Sequence, residues 1–190
     1  MVTLQMELGE IIIIAIGLSL DAFAVSLGAG SVGRIGSHRG AFRLAFHFGL
    51  FQFLMPVLGW YTGIKIEPIV HKIDYLVAFL LLAYVGSKMI WESYKTEVHL
   101  KTDPSKGKQM VLLSVATSID ALVVGFSLAM LRISIWYPGF IIGIITAVFS
   151  ILGIYLGKVI GDKLGRKMEF LGGLEIIAIG TRILLLHFYN

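Results

Sequence analysis

The chain has 190 residues, of which 57% are hydrophobic and only 15% charged, with a formal net charge of +4. Its mean hydropathy is +0.87. A water-soluble domain of this size needs a charged surface that this composition cannot supply, and the absence of cysteine excludes disulfides and thiolate metal centres.

Apolar runs of about 20 residues mark membrane-spanning helices, and the alternating pattern of a transmembrane barrel is missing. The expected fold is an all-α integral membrane protein of six spans with no soluble domain. The first span is Ile11–Gly30. The first ten residues carry no Lys or Arg, and the run is of full length, so it reads as a span and not as a signal peptide. Asp21 stands at its centre, where a carboxylate costs ~2.5–3.5 kcal/mol. Ala22, Ser26 and Gly30 have the small-xxx-small spacing that lets a neighbouring helix approach closely. The second span, Leu44–Ile64, carries His47, Gln52 and Pro56. Proline offers no amide to the carbonyl four residues earlier. Gln52 is therefore expected to present a freed main-chain oxygen beside its amide oxygen at membrane depth, where no water satisfies it.

The third span is Tyr75–Trp91, and the charged connection Glu92–Gln109 follows it. The fourth, Met110–Leu131, contains Thr117, Asp120, Gly125 and Ala129. Asp120 again sits mid-span, and Thr117 lies one turn away with a hydroxyl to offer. The fifth is Tyr137–Gly157 and the sixth Phe170–Phe188, with Glu175 about a turn and a half inside and Arg182 on the same face. Glu175 is a candidate metal ligand, proton carrier or ion-pair partner. Trp60, Trp91 and Trp136 fall at span ends, as an interfacial belt requires. The histidines, His47 included, read as interfacial, packing or solvated residues.

Two halves are visible. Ser19-Leu20-Asp21-Ala22 is nearly repeated by Ser118-Ile119-Asp120-Ala121, the Gly59/Gly63 pair by Gly153/Gly157, and Gly86-Ser87-Lys88 by Gly180-Thr181-Arg182. This register sets Thr146 opposite Gln52 and Ser150 opposite Pro56. Three spans per half make the halves inverted, residues 1–92 and 110–190 around a connection over 93–109. Inverted repeats place a transport site at the midplane between them. Most Lys and Arg fall at the first, third and fifth connections, Arg34, Lys88 and Lys101 among them, against Lys65, Lys72, Arg132 and Arg182 opposite. The odd connections are therefore expected in the cytoplasm, with both termini outside, and this even spread is not a nucleic-acid patch.

Buried acids that face each other would suit a dication. Asp21, Asp120, Gln52, Thr117, Ser26 and Glu175 form an all-oxygen candidate set of the kind that favours Mg²⁺, Ca²⁺ or Mn²⁺. The competing reading makes Asp21 and Asp120 structural, paired with Lys88 and Arg182, with Pro56 a kink and Gln52 a bond to a neighbouring helix.

The segments Leu18–Ser26 and Ala116–Gly125, with Met55-Pro56-Val57-Leu58-Gly59 and Leu171-Gly172-Gly173, resemble the signatures of the MntP-type manganese efflux pumps across the whole chain. The resemblance implies a prokaryotic plasma-membrane exporter of Mn²⁺, with Mn²⁺ as substrate, no cofactor, and Asp21 and Asp120 as its essential acids. Gln52 departs from the family's acid or imidazole, and Glu175 from a small or apolar residue.

No Gly-x-x-x-x-Gly-Lys-Ser/Thr loop is present, so the chain is read as a transporter and not an ATPase or other enzyme. A dication leaving against 100 mV inside-negative works against roughly 4.6 kcal/mol, so efflux needs a coupling ion. Protons are expected, because they compete with metal for carboxylates. Export of another divalent metal, of an organic cation or of an amino acid is the alternative, and a non-transporting scaffold is a third.

Overall fold

A computed structural model describes residues 6–31, 35, 37–70, 74–93 and 103–160, with helical positions at 170, 174, 177, 178, 180–182, 184 and 185. Glu175, His71, His99 and His187 lie outside the described residues. In chain order the helices are α1 (Leu8–Ser31), α2 (His38–Val70), α3 (Asp74–Ser93), α4 (Gly107–Ala116), α5 (Ile119–Met130) and α6 (Trp136–Ile160). No strand occurs among the described residues. Among the described residues, four stretches are long and apolar enough to cross a membrane: Leu8–Ser31, His38–Lys65, Gly107–Met130 and Trp136–Val159. The chain is a multi-pass membrane protein.

Polarity is distributed inside out. Ser19, Ser26, Gln52, Ser114, Thr146 and Ser150 are fully buried, whereas Phe42, Phe46, Leu58, Phe140 and Val148 are exposed. On α2 and α6 the exposed apolar residues recur at i and i+4, giving each helix one face suited to lipid. Water would not allow this arrangement; hydrocarbon, which cannot solvate hydroxyls and amides, requires it.

The fourth span is not one helix, contrary to the sequence reading. It breaks at Thr117–Ser118, between α4 and α5. Three neighbouring hydroxyls bond backward onto the α4 backbone: Ser114 Oγ to Met110 O (2.8 Å), Thr117 Oγ1 to Leu113 O (3.0 Å) and Ser118 Oγ to Ser114 O (2.7 Å). Such bonds compete with the helical ladder and bend it. The Ser118 amide tightens onto Val115 O (3.1 Å), and Ser118 leaves helical geometry at φ −113°, ψ 0°. α5 begins directly after, which puts Asp120 in its first turn. There the helix dipole favours a negative charge.

Pro56 does not interrupt α2, which is continuous from His38 to Val70. α2 also runs well beyond Trp60, so Trp60 does not mark a helix end. Its Nε1 donates to Ile133 O (2.7 Å), which ties α2 to the α5–α6 turn. In that turn Arg132 adopts φ +58°, and Ile133 N returns to Leu128 O (2.9 Å), closing α5 with a Schellman-type cap.

The principal helix contacts are α1 on α6, α2 on α5, α2 on α6 and α3 on α5. Glycine makes the closest of them. A Cβ at Gly59 would meet Leu122 O at 1.9 Å, and one at Gly125 would meet Pro56 O at 2.0 Å. On α6, Gly153 faces Phe23 O and Gly157 faces Leu27 O. Gly49 and Gly143 abut each other where α2 crosses α6. The small residues of α1 and α5 thus serve seams different from the one expected. Ser26 and Gly30 pack on Gly153 and Ile154 of α6, and Gly125 and Ala129 on Pro56 and Gly63 of α2. They do not draw α1 onto α5, because each helix spends its thin face on a neighbour where a backbone carbonyl occupies the space of the missing side chain.

Candidate metal site

Two core clusters include residues of both α1 and α4–α5. One gathers Ile14, Ala15 and Leu18 with Ala121, Val124 and Leu128. The other gathers Ala22 and Ala29 with Met110 and Leu113. Asp21 lies between Leu18 and Ala22, and Asp120 lies between Leu113 and Ala121. Asp21 is 9% exposed and Asp120 2%.

Each oxygen donor is set in place by its own helix. Gln52 is fully buried on α2, and its Nε2 donates to Leu18 O across the seam with α1 (2.8 Å). That bond is the helix tie of the competing reading, and it also places the Gln52 amide within a turn of Asp21. Gln52 Oε1 is left buried with no hydrogen-bond partner among the described residues, as are Ser26 Oγ, Asp120 Oδ2 and Thr146 Oγ1. An unsatisfied buried polar atom costs about 1–3 kcal/mol, and native proteins keep few of them. Several such atoms, in a bundle that also buries two carboxylates, are of the oxygen type a hard cation takes.

Thr117 is buried at the α4–α5 break, and its hydroxyl donates to Leu113 O and Ser114 O (3.3 Å). A donating hydroxyl keeps lone pairs with which to accept a cation. Ser26 sits more than a turn beyond Asp21, against α6. Thr146, on α6, was not among the residues the sequence singled out as ligands; its position opposite Gln52 in the repeat was the signal that pointed to it. Ser150 beside it is spent, donating to Thr146 O (2.8 Å). No group of three His, Cys, Asp or Glu side chains gathers among the described residues.

The basic partners divide unequally. Lys88 Nζ lies 2.7 Å from Asp120 Oδ1. Arg182, which the sequence set on one face with Glu175 and offered with Lys88 as a partner of the two aspartates, bonds Glu10; its relation to Glu175 lies outside the described residues. Lys88 had been counted with the cytoplasmic charges, but its ammonium reaches the buried Asp120. His47 Nδ1 pairs with its own helix at Arg43 O (2.8 Å), a packing role. His38 Nδ1 meets the Tyr155 hydroxyl (2.7 Å).

Outside the spans, Arg43 clasps the Ser105 carbonyl and, at 3.1 Å, its hydroxyl. This fastens the end of the central connection to α2. Burial raises the Asp103 carboxyl, but hydrogen bonds from the Ser105 hydroxyl and amide, with Lys106 alongside, outweigh it and hold the group below its usual range.

A family model described as "Putative manganese efflux pump" matches residues 36–184. A protein of Syntrophotalea carbinolica named "Putative manganese efflux pump MntP" is 46% identical over 176 residues, covering 92% of this chain and 94% of that protein. One of Citrifermentans bemidjiense with the same name is 48% identical over 176 residues, with the same coverage of both chains. Another, from Nitratidesulfovibrio vulgaris, is 43% identical over 182 residues, 94% of this chain and 90% of that protein. No solved structure matches. These relatives are named as pumps and not as enzymes, and with such identity sustained from end to end the chain belongs to the MntP family of manganese efflux pumps.

Proposed function

We propose that this protein exports Mn²⁺ across the plasma membrane in exchange for protons, with Asp21 and Asp120 as the central ligands. The observation that carries the reading is the set of buried oxygens with no hydrogen-bond partner among the described residues, in a bundle that also buries two carboxylates, in a chain whose relatives are named as manganese pumps. Gln52 Oε1, Thr146 Oγ1 and the Thr117 hydroxyl complete an oxygen donor set, with Ser26 more than a turn along α1 from Asp21 and Glu175 of the last span as further candidates. Deprotonated, the two acids neutralise one dication taken from the cytoplasm; protons from outside then displace it.

The reading includes two inverted three-helix halves, 1–92 and 110–190, joined by a cytoplasmic connection over 93–109, with both termini outside. The packing supports it. Gly59 and Gly63 stand to Leu122 and Phe126 as Gly153 and Gly157 stand to Phe23 and Leu27, and the equivalent Gly49 and Gly143 touch each other. An exchange of this kind, each half's first span on the other half's second, is what a two-fold axis in the membrane plane produces.

The deciding experiment is calorimetric titration of the purified protein with Mn²⁺, Mg²⁺, Ca²⁺ and Zn²⁺. Saturable Mn²⁺ binding that disappears in folded Asp21→Asn supports the site. Binding of no metal would sink it and turn attention to organic cations or amino acids.

A further inference from the structure

The Lys88–Asp120 contact is not explained by metal transport as described above. Lys88 comes from α3, which packs chiefly against α5 among the described helices, and its side chain is 24% exposed while that of Asp120 is 3% exposed. The ammonium occupies Oδ1, and Oδ2 of the same carboxylate has no hydrogen-bond partner among the described residues. The equivalent cation of the other half, Arg182, is held by Glu10. The bundle therefore carries a basic side chain on Asp120, delivered by a long, flexible, partly exposed stem.

We infer that Lys88 is a tethered counter-cation that fills the Asp120 half of the site when it is empty and that the incoming dication displaces. This inference rests on the proposed metal site. With both acids ionised the empty site holds two negative charges, and Lys88 reduces the excess to one. A dication that bound with Lys88 still in place would leave a net positive charge in low dielectric and set two cations on one carboxylate, which repel strongly at such range. If Lys88 withdraws, the acids and the dication are neutral together. Its stem can carry the ammonium toward the polar boundary, as lysines near span ends do. The exchange also discriminates by valence. A monovalent ion that replaces Lys88 gains no charge, whereas a dication does. Lys88 thus weakens binding in general, excludes monovalent ions and makes release easier.

The test is Mn²⁺ titration of full-length wild type, Lys88→Gln, Lys88→Met, Lys88→Arg and Asp120→Asn. Each is measured in potassium chloride and in choline chloride at equal ionic strength, with gel filtration and melting to confirm folding. Lys88→Gln and Lys88→Met are expected to bind Mn²⁺ at least tenfold tighter than wild type, and K⁺ is expected to compete only in these two. Lys88→Arg should stay within about threefold of wild type, and the tight binders should transport more slowly at saturating Mn²⁺. Unchanged or weaker binding in folded Lys88→Gln and Lys88→Met, with wild type binding normally, would overturn the counter-cation role and leave the metal site standing. Failure of both neutral variants to fold, while Lys88→Arg folds, would make Lys88 a structural ion pair and equally overturn it. Absence of Mn²⁺ binding in wild type, or its persistence in Asp120→Asn, would overturn the metal site and this inference with it.

Discussion

Asp120 and Thr146 show what single side chains are for in a bundle that buries carboxylates, amides and hydroxyls within an apolar core and turns an apolar surface outward. Replacing Asp21 or Asp120 by Asn keeps the shape and removes the charge. Each variant is expected to remain folded and to lose Mn²⁺ affinity by at least about a hundredfold, more than 2.7 kcal/mol, as calorimetry would show. Thr146→Val separates ligand from scaffold more sharply. Its Oγ1 has no hydrogen-bond partner among the described residues, so the isosteric change removes an unsatisfied atom and is expected to leave the melting temperature unchanged or raised. Mn²⁺ binding should weaken by roughly tenfold, about 1.4 kcal/mol; equal affinity would strike Thr146 from the site. The aspartates were legible in the sequence because a charge interrupts an apolar run. Thr146 was not, because a threonine in a span is ordinary until its partners are known.

At the scale of helices, the glycine seams decide stability. Gly59→Ala and Gly125→Ala would drive a methyl into a carbonyl at 1.9 and 2.0 Å, and neither backbone can yield without moving the helix. Each is expected to destabilise the folded protein by about 1–3 kcal/mol. Gly139→Ala makes ordinary contacts with the Phe53 ring at 3.5 Å and the Ile135 side chain at 3.8 Å and serves as the tolerated control; thermal melts in detergent compare the three. The connection that Arg43 clasps behaves differently. Asp103 is held below its usual range, so the stability it contributes is complete above its unfolded value, near pH 4, and is lost as pH falls through its lower folded value. Between pH 5 and 8 the anchor is therefore constant. Asp103→Asn is expected to speed tryptic cleavage at Lys106 and Lys108 severalfold at neutral pH, and unchanged cleavage would count against the anchor. The break at Thr117–Ser118 escaped the sequence reading because hydropathy sees an unbroken apolar run, and helix interruption here depends on which way three hydroxyls turn.

Across the whole molecule, the proposed exchange of first and second spans between halves gives the chain an axis about which to rock, and it makes coupling testable. In inverted membrane vesicles, collapse of the proton gradient is expected to abolish Mn²⁺ uptake, and Asp21→Asn vesicles should show none with the gradient intact. Uptake indifferent to the gradient would rule out proton coupling while leaving metal export in place.

The sequence by itself determined the membrane class, most of the spans, the duplicated acids and the family, because hydropathy, spacing and identity are properties of the chain read in order. The tertiary structure alone decided which helices the small residues join, that α4 and α5 are separate, that Gln52 reaches Leu18, and that Lys88 holds Asp120 while Arg182 holds Glu10. These are choices among several chemically adequate partners. In a medium that can solvate none of them, each choice is settled by which groups the packing of distant segments brings within a hydrogen bond of one another.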